Sequence, residues 1–294
     1  MKKLNALWIL LAACLWGTIG ISVKGLGSFG ASAMQIVFLR AVATVLLLTP
    51  ILLIYNKKLL KIKLKDIWCF IGTGIISIVF FTYFNFYTIS LTSMSFASVL
   101  MYTAPFMMVF LAAVIFKEKI TGRQLLACVI AFSGCMLVSG IFEGDTAVTS
   151  LGILTGLASG FFYALYTVFS RFALIRGYDP LTITLYTFIF SVIGSLPFVN
   201  VKETFGIITD NPKSLIFVAA IAVFNTILPY ILYNTGLRGV QSSTALIIAT
   251  AEPVVATVMG FAVYQEIPTV LSVIGIVLVV CAVLVLNIKK EASN

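Results

Sequence analysis

The chain has 294 residues, of which 61% are hydrophobic and only 10% are charged, and its mean hydropathy is +1.14. This composition excludes an ordinary water-soluble globular protein. The chain contains no histidine, which also excludes catalysis by an imidazole base and metal binding by histidine. Its five cysteines stand singly in apolar stretches, so we interpret them as small hydrophobic residues and expect no metal and no cofactor.

Apolar stretches follow one another along the whole chain, and each is long enough to cross a membrane as a helix. A helix needs about 20 mostly apolar residues to span roughly 30 Å of hydrocarbon. The first stretch lacks a small-residue cleavage site, so we expect it to be retained rather than removed as a signal peptide. The predicted spans are 4–23, 31–55, 66–90, 95–116, 121–141, 150–173, 180–200, 213–236, 241–264 and 268–288.

The distribution of lysine and arginine predicts how these spans are oriented. Cytoplasmic connections carry an excess of both residues. If the N-terminus is cytoplasmic, 15 of the 19 basic residues lie on the cytoplasmic side, with Lys24, Lys202 and Lys213 outside and Arg40 within a span. We therefore expect a multi-pass protein of the cell (plasma or inner) membrane with both termini in the cytoplasm. The net charge of +9 then reflects topology rather than a nucleic-acid partner, although the run from Lys57 to Lys65 could also hold anionic lipid headgroups.

The two halves of the chain repeat one another. At an offset of 148, six residues between Ser95 and Val129 are identical to residues between Ser243 and Val277, and at an offset of 147 Trp16 falls on Tyr163. Each half carries five spans, with residues 1–145 as the first repeat and 146–294 as the second. Because five is odd, the halves enter the membrane from opposite sides. The sequence thus predicts an all-α integral membrane protein whose ten transmembrane helices form two inverted five-helix repeats, an architecture typical of alternating-access transporters.

Each half carries a proline in mid-span, followed 13 residues later by glutamate and then by threonine. These residues are Pro105, Glu118 and Thr121 in the first half, and Pro253, Glu266 and Thr269 in the second. Together with Trp16-Gly17, Arg40 and Glu252-Pro253, the pattern resembles the EamA domain of the drug/metabolite transporter superfamily over essentially the whole chain. The resemblance implies a ten-helix secondary carrier with a central cavity, often an exporter of amino acids or other small metabolites. The first half departs from the pattern, with Ala104 where the second has Glu252.

Polar and aromatic groups inside the spans are the candidates for substrate binding. An ionisable side chain at mid-membrane is costly and usually faces a cavity or a partner, and Glu252 is such a residue. Aromatic rings beside a carboxylate suit an ammonium group or another ring, although single rings could instead face lipid or the membrane interface. The predicted substrate-binding residues are Trp16, Asn85, Tyr102, Tyr163, Tyr166, Asn225, Tyr230 and Glu252. The resemblance assigns Trp16, Tyr102, Tyr163 and Tyr166 to cavity-forming spans.

Arg40 is the second ionisable residue at depth, and we expect it to be structural, because the resemblance places the second helix outside the cavity wall. A structural hydrogen bond or an ion pair with Arg40 is the alternative role for Glu252. Pro105 and Pro253 are predicted hinges, since proline frees a backbone carbonyl and bends a helix, with simple kinking as the alternative.

The function predicted from the sequence is secondary active transport of a small organic solute, an amino acid or related metabolite, with export as the expected direction. The chain has no nucleotide-binding Gly-rich loop, so ATP is not the direct driver. The expected partners are a small-molecule substrate, membrane lipid and, as a candidate coupling ion, the proton, and the expected working unit is a monomer. The alternatives are an uptake carrier for a cationic or choline-like compound, a channel and, most remotely, an intramembrane enzyme.

Overall fold

A computed structural model describes residues 2–142 and 149–287, and this part of the chain is helical without a β-strand. Eight helices are long and apolar enough to cross a membrane, and two further apolar helices, Gly122–Val138 and Val270–Leu286, are shorter. The helices are α1 (Lys3–Ser28), α2 (Ala33–Tyr55), α3 (Leu64–Leu91), α4 (Met94–Phe116), α5 (Gly122–Val138), α6 (Ser150–Ile175), α7 (Pro180–Phe198), α8 (Ser214–Leu237), α9 (Ser242–Tyr264) and α10 (Val270–Leu286). A short helix, Val201–Asp210, lies between α7 and α8.

The fifth helix is shorter than the predicted span 121–141. Helix α5 has 17 residues, a length of only about 26 Å at 1.5 Å per residue. Its start is fixed by a capping box, in which the Thr121 hydroxyl accepts the Gln124 amide and the Gln124 side chain accepts the Thr121 amide. The predicted boundary between the repeats, at 145 and 146, and the basic residues Lys289 and Lys290 fall outside the described residues.

Helices α4 and α9 are each broken at the same relative position. In α4 a helix over Met94–Met101 is followed by a second over Ala104–Phe116, and in α9 Ser242–Ala249 is followed by Glu252–Tyr264. Pro105 and Pro253 stand in the first turn of the second segments, where a residue without an amide hydrogen fits a helix start. The break therefore precedes each proline.

Helices α3 and α8 share a different irregularity, a segment of wider π-helix. The π segments are Gly72–Val79 in α3 and Val223–Ile227 in α8. In each, a hydroxyl bonds the carbonyl five residues before it at 2.8 Å, Ser77 to Gly72 and Thr226 to Ile221. An offset of 148 places the last five residues of the first segment on the second, so the repeat extends to the backbone geometry.

Polar contacts at helix ends and in the connections between helices mark two ends of the helix bundle. At the first, which we name the Asp66 end, Arg176 pairs with Asp66 at 2.9 Å and Arg238 pairs with Asp179 at 3.1 Å. At the second, the Lys24 end, Lys24 pairs with the glutamate between α9 and α10 at 2.7 Å. The Asp66 end gathers the connections that follow α2, α4, α6 and α8, whereas the Lys24 end includes those that follow α1 and α9. This is the alternation that consecutive membrane crossings produce.

The interior is built where α1 packs against α8 and α9. Its largest cluster of buried apolar residues includes Ile9, Trp16, Tyr233 and Ala245. Large apolar side chains on the outside, such as Ile54 at 88% exposure, suit contact with lipid tails. The cluster borders a central cavity.

Candidate functional site

A cavity lies in the middle of the bundle, where both halves contribute to its wall. The cavity is small, with a volume of about 90 Å³. The wall is largely apolar and aromatic. Its residues are Trp16, Ile19, Arg40, Ser77, Ile78, Phe81, Met101, Tyr163, Tyr166, Tyr230 and Glu252.

Glu252 supplies the negative charge of this wall. It is the first residue of the second segment of α9, immediately after the break. The first turn of a helix favours a carboxylate, because its amide hydrogens have no partner within the helix. Tyr163 of α6 lines the same cavity. The break in α9 thus places an acidic group against the cavity between α1 and α6.

Arg40 supplies a positive charge to the same wall, so the expectation that it lies outside the cavity is wrong. Its side chain reaches inward from α2, with 8% of the residue exposed, and its buried Nε has no hydrogen-bond partner. The guanidinium carbon lies 5.9 Å from the centre of the Phe188 ring. A long arginine side chain can reach past neighbouring helices, which the position of α2 in the sequence did not reveal.

The two charged residues do not pair with each other. No nitrogen of Arg40 lies within 4.0 Å of a Glu252 oxygen. The ion pair considered as an alternative role for Glu252 is therefore absent. The cavity therefore holds one group of each sign without an ion pair between them.

Aromatic side chains fix the shape of the cavity. The Tyr230 ring is in edge contact with Trp16, Tyr166 and Phe188, with centroid distances of 5.3, 5.1 and 5.1 Å. Such contacts hold rings in defined orientations. Two parts of the wall are related by the repeat, since an offset of 147 places Trp16 on Tyr163 and Ile19 on Tyr166. The aromatic lining is thus partly symmetric. Glu252 is not, because its counterpart in the first repeat is Ala104.

Of the eight predicted binding residues, Trp16, Tyr163, Tyr166, Tyr230 and Glu252 line the cavity. Three others lie elsewhere in the fold. They are Asn85, which is half-buried one turn beyond Phe81 on α3; Tyr102, which is buried at the break of α4 beside Cys135 and Val279; and Asn225, in the π segment of α8.

Asn225 joins α8 to α1. Its side-chain amide donates to the Leu15 carbonyl at 2.7 Å and to the Thr18 hydroxyl at 2.8 Å, and its carbonyl accepts from the Ser22 hydroxyl at 3.2 Å. The bonded residues of α1 lie before and after Trp16 in the sequence. In this structure Asn225 positions the helix that carries a wall residue.

Six wall residues were not among the predicted ones: Arg40, Ile19, Ser77, Ile78, Phe81 and Met101. Three of them carry a usable signal, and Arg40 does so through its charge inside an apolar span. Phe81 belongs to the aromatic run around Asn85, and Ser77 is the repeat counterpart of Asn225 at an offset of 148. Ile19, Ile78 and Met101 are indistinguishable by type from residues that face lipid.

The sequence also matches a known family over both repeats. The EamA-like transporter family matches residues 3–140 and 150–288. The chain belongs to this family. It is 30% identical over 300 residues to the uncharacterized transporter YyaM of Bacillus subtilis (strain 168), covering 97% of this chain and 94% of that protein. An uncharacterized transporter of Clostridium kluyveri is 28% identical over 304 residues, covering 100% of this chain and 96% of its own.

A solved crystal structure shares the fold. It superposes with a TM-score of 0.80 over 97% of both chains at 15% sequence identity. Family and relatives together assign the chain to membrane transport of small solutes, which argues against an enzymatic activity. Among the residues described, no cluster of three or more acidic or cysteine side chains could hold a metal ion.

Proposed function

We propose that the chain is a secondary transporter that moves a small zwitterionic solute, an amino acid or a related metabolite, by alternating access around the central cavity. The two family repeats support a carrier built from two similar halves, and residues of both halves line the one cavity. Export is the direction that the family resemblance implies.

The observation that carries this proposal is the presence of Arg40 and Glu252 in one cavity without an ion pair between them. Each buried charge is costly without an ionic partner. A guanidinium group binds a carboxylate through two parallel hydrogen bonds, and a carboxylate flanked by aromatic rings binds an ammonium group. A ligand with both groups satisfies both residues at once, and the apolar remainder of the wall suits an apolar side chain.

The proposed membrane arrangement is ten crossings in two inverted five-helix repeats, with the Asp66 end in the cytoplasm of the cell. The positive-inside rule supports this choice, because the connections at this end include the lysine-rich segment from Lys57 to Lys65. One chain provides the complete cavity, so a monomer is the proposed transport unit. Glu252 is also the group that could carry a coupling proton.

Thermal stabilisation of the purified full-length protein tests the substrate class. The probes are phenylalanine, phenethylamine and hydrocinnamate, which share one carbon skeleton and differ in which charges they carry. Because a hydrogen bond to a charged group contributes about 1.5–3 kcal/mol, phenylalanine should bind roughly tenfold to a hundredfold more tightly than either analogue. Leucine, isoamylamine and isocaproate repeat the comparison without an aromatic ring.

Two variants assign the two charges. Arg40→Gln should remove the advantage of phenylalanine over phenethylamine, and Glu252→Gln its advantage over hydrocinnamate. Lys202→Gln and Glu203→Gln, on an exposed connection, are the matched controls and should leave both ratios unchanged. Equal binding of phenylalanine and phenethylamine by the unmodified protein would refute the zwitterion and favour a carrier of cationic compounds.

Direction is tested in proteoliposomes loaded with labelled phenylalanine or leucine. Protein orientation is measured with a cysteine introduced at Lys202 and a membrane-impermeant thiol reagent. Export predicts movement from the Asp66 side to the Lys24 side under the physiological proton gradient. Accumulation in the opposite direction would make the protein an uptake carrier.

A further inference from the structure

Glu118 binds the start of a helix in the other half of the chain, at the Asp66 end. It lies between α4 and α5, and one carboxylate oxygen accepts the Ser242 amide at 2.8 Å. The other accepts the Ser243 amide at 3.4 Å and the Ser243 hydroxyl at 3.0 Å. These are the first residues of α9, and Gln241, which precedes them, provides no side-chain cap of its own. Glu118 therefore caps α9 from the first repeat.

Gln124 reinforces this contact between the halves. Its side-chain amide donates to Gln241 at 2.9 Å and to Ser243 at 3.0 Å. Ser242 and Ser243 are consequently 0% and 2% exposed. At the Asp66 end, the start of α9 is sealed by polar contacts from α5 and from the segment before it.

Glu266, the repeat counterpart of Glu118, has the same local backbone but a different partner. Each glutamate follows a residue in the left-handed conformation, Lys117 with φ 53° and Gln265 with φ 60°. The amide of each donates to a carbonyl six residues earlier, at 3.1 Å for Glu118 and 3.3 Å for Glu266. Yet the Glu266 carboxylate binds Lys24 at 2.7 Å, in a pair whose side chains are 60% and 55% exposed.

The residues that Glu266 would bind by symmetry are open in this structure. An offset of 148 places Ser242 on Met94 and Ser243 on Ser95, the first residues of α4. Met94 is 70% exposed, whereas Ser242 is fully buried. Both glutamates are presented by the same backbone, but α4, unlike α9, has a side-chain cap of its own, in which the Ser93 hydroxyl accepts the Phe96 amide at 3.1 Å. The amides of Met94 and Ser95 are not part of this cap.

We propose that Glu118 and Glu266 cap α9 and α4 in turn, so that each carboxylate locks one end of the transporter while the other end is open. In the structure described here, Glu118 holds the Asp66 end closed and Lys24 holds Glu266 away from α4. In the opposite conformation, Glu266 leaves Lys24 and binds the amides of Met94 and Ser95, while Glu118 leaves α9. The Lys24 pair opposes this change weakly, since an exposed ion pair contributes little. This inference rests on the proposed alternating access.

Distance measurements between spin labels at Met94 and Ile267 test the two locks in full-length protein without its native cysteines. Ile267, 84% exposed, follows Glu266 directly, so the distance shortens when the Lys24 end closes. Glu118→Gln should raise the ratio of short to long distances by about tenfold, the effect of losing one charge-assisted hydrogen bond. Glu266→Gln should lower this ratio. Lys24→Gln should raise it, because Glu266 then has no competing partner.

Glu203→Gln is the matched control, an exposed carboxylate on the connection between α7 and α8, and should leave the ratio unchanged. If Glu118→Gln does not fold, Ser243→Ala removes one of the bonds to Glu118 and should shift the ratio in the same direction by less. Shifts of Glu118→Gln and Glu266→Gln in the same direction, or no shift in either, would overturn the two locks. Solute uptake by proteoliposomes of the same variants separates the outcomes, since uptake that persists without such shifts leaves the transport function standing.

Discussion

Replacing Gly17 with alanine should weaken the contact on which the cavity depends, whereas the same change at Gly20 should not. Gly17 lies where α1 crosses α9. A Cβ atom at position 17 would lie 2.6 Å from the Val255 Cβ and 2.7 Å from the Glu252 carbonyl oxygen. Both atoms belong to the start of the second segment of α9, which has little freedom to move. At Gly20, one turn further along α1, no atom lies within 4 Å of the added carbon.

The expected magnitudes follow from these distances. Forcing an extra carbon into a filled contact costs about 1–3 kcal/mol. Alanine in place of glycine within a helix contributes about 0.5–1 kcal/mol in the opposite direction where space is available. Gly20→Ala should therefore be neutral or slightly stabilising, and Gly17→Ala should be less stable than Gly20→Ala by roughly 1–3 kcal/mol.

The assay is thermal unfolding of both variants in the same detergent, with phenylalanine stabilisation as the second readout. Gly17→Ala should melt at a lower temperature and should also lose phenylalanine stabilisation, because separating α1 from α9 moves Trp16 away from Glu252. Gly20→Ala should keep both properties. Equal melting temperatures of the two variants would show that α1 and α9 are not in close contact here.

Three further substitutions address the site and its supports. Glu252→Gln should leave the protein folded and reduce solute transport in proteoliposomes, and unchanged transport would exclude this carboxylate from the mechanism. Pro253→Ala should slow transport more than Pro105→Ala, because only Pro253 adjoins an ionisable group, whereas equal and mild effects would indicate that both prolines act only on helix shape. Asn225→Ala should lower the unfolding free energy by about 1–3 kcal/mol through the loss of its bonds to α1, as measured by thermal unfolding. The same variant should keep the preference for phenylalanine over its single-charge analogues, and a changed preference would place Asn225 in the binding site.

Hydropathy predicts where the apolar helices lie. The observed helices begin within a few residues of the predicted spans, and eight of them are long and apolar enough to cross a membrane. Helix ends were less predictable. Thr121 and Gln124 set the start of α5 through mutual hydrogen bonds, which depend on local sequence rather than on hydropathy.

The interiors of α3 and α8 were not predictable in the same way. Their π segments lie within uniformly apolar sequence, and the bonds of Ser77 and Thr226 to carbonyls five residues earlier become visible only in three dimensions. A proline gives a clearer signal, because it lacks the amide that a continuous helix requires. Pro105 and Pro253 accordingly mark helix breaks, although the turn opens before each proline rather than at it.

A charged residue inside an apolar span predicts a position in the cavity wall for both Glu252 and Arg40. The expected position of the helix in the fold is a poorer predictor. The cost of burying an ion led correctly to the cavity in the case of Glu252. The same argument applies to Arg40. The position of α2 that the family resemblance implies instead predicts that Arg40 lies outside the cavity, which is wrong. For Arg40, the cost of burying a charge predicts the cavity position better than the position of its helix does. A long arginine side chain can extend well away from the helix that carries it.

The two charged residues of the cavity are not repeated in the other half of the chain. An offset of 147 places Arg40 on Thr187, and an offset of 148 places Glu252 on Ala104, so neither charge has a charged counterpart. Arg40 comes from the first half and Glu252 from the second. On the proposed mechanism, a zwitterion is then held at its carboxylate by one half and at its ammonium group by the other, in a single orientation. In this proposed mechanism the halves move relative to each other, so the fit of both groups depends on conformation, and only a solute with both charges can favour one conformation through two ionic contacts. A solute with one charge binds one half alone and lacks this means of favouring a conformation.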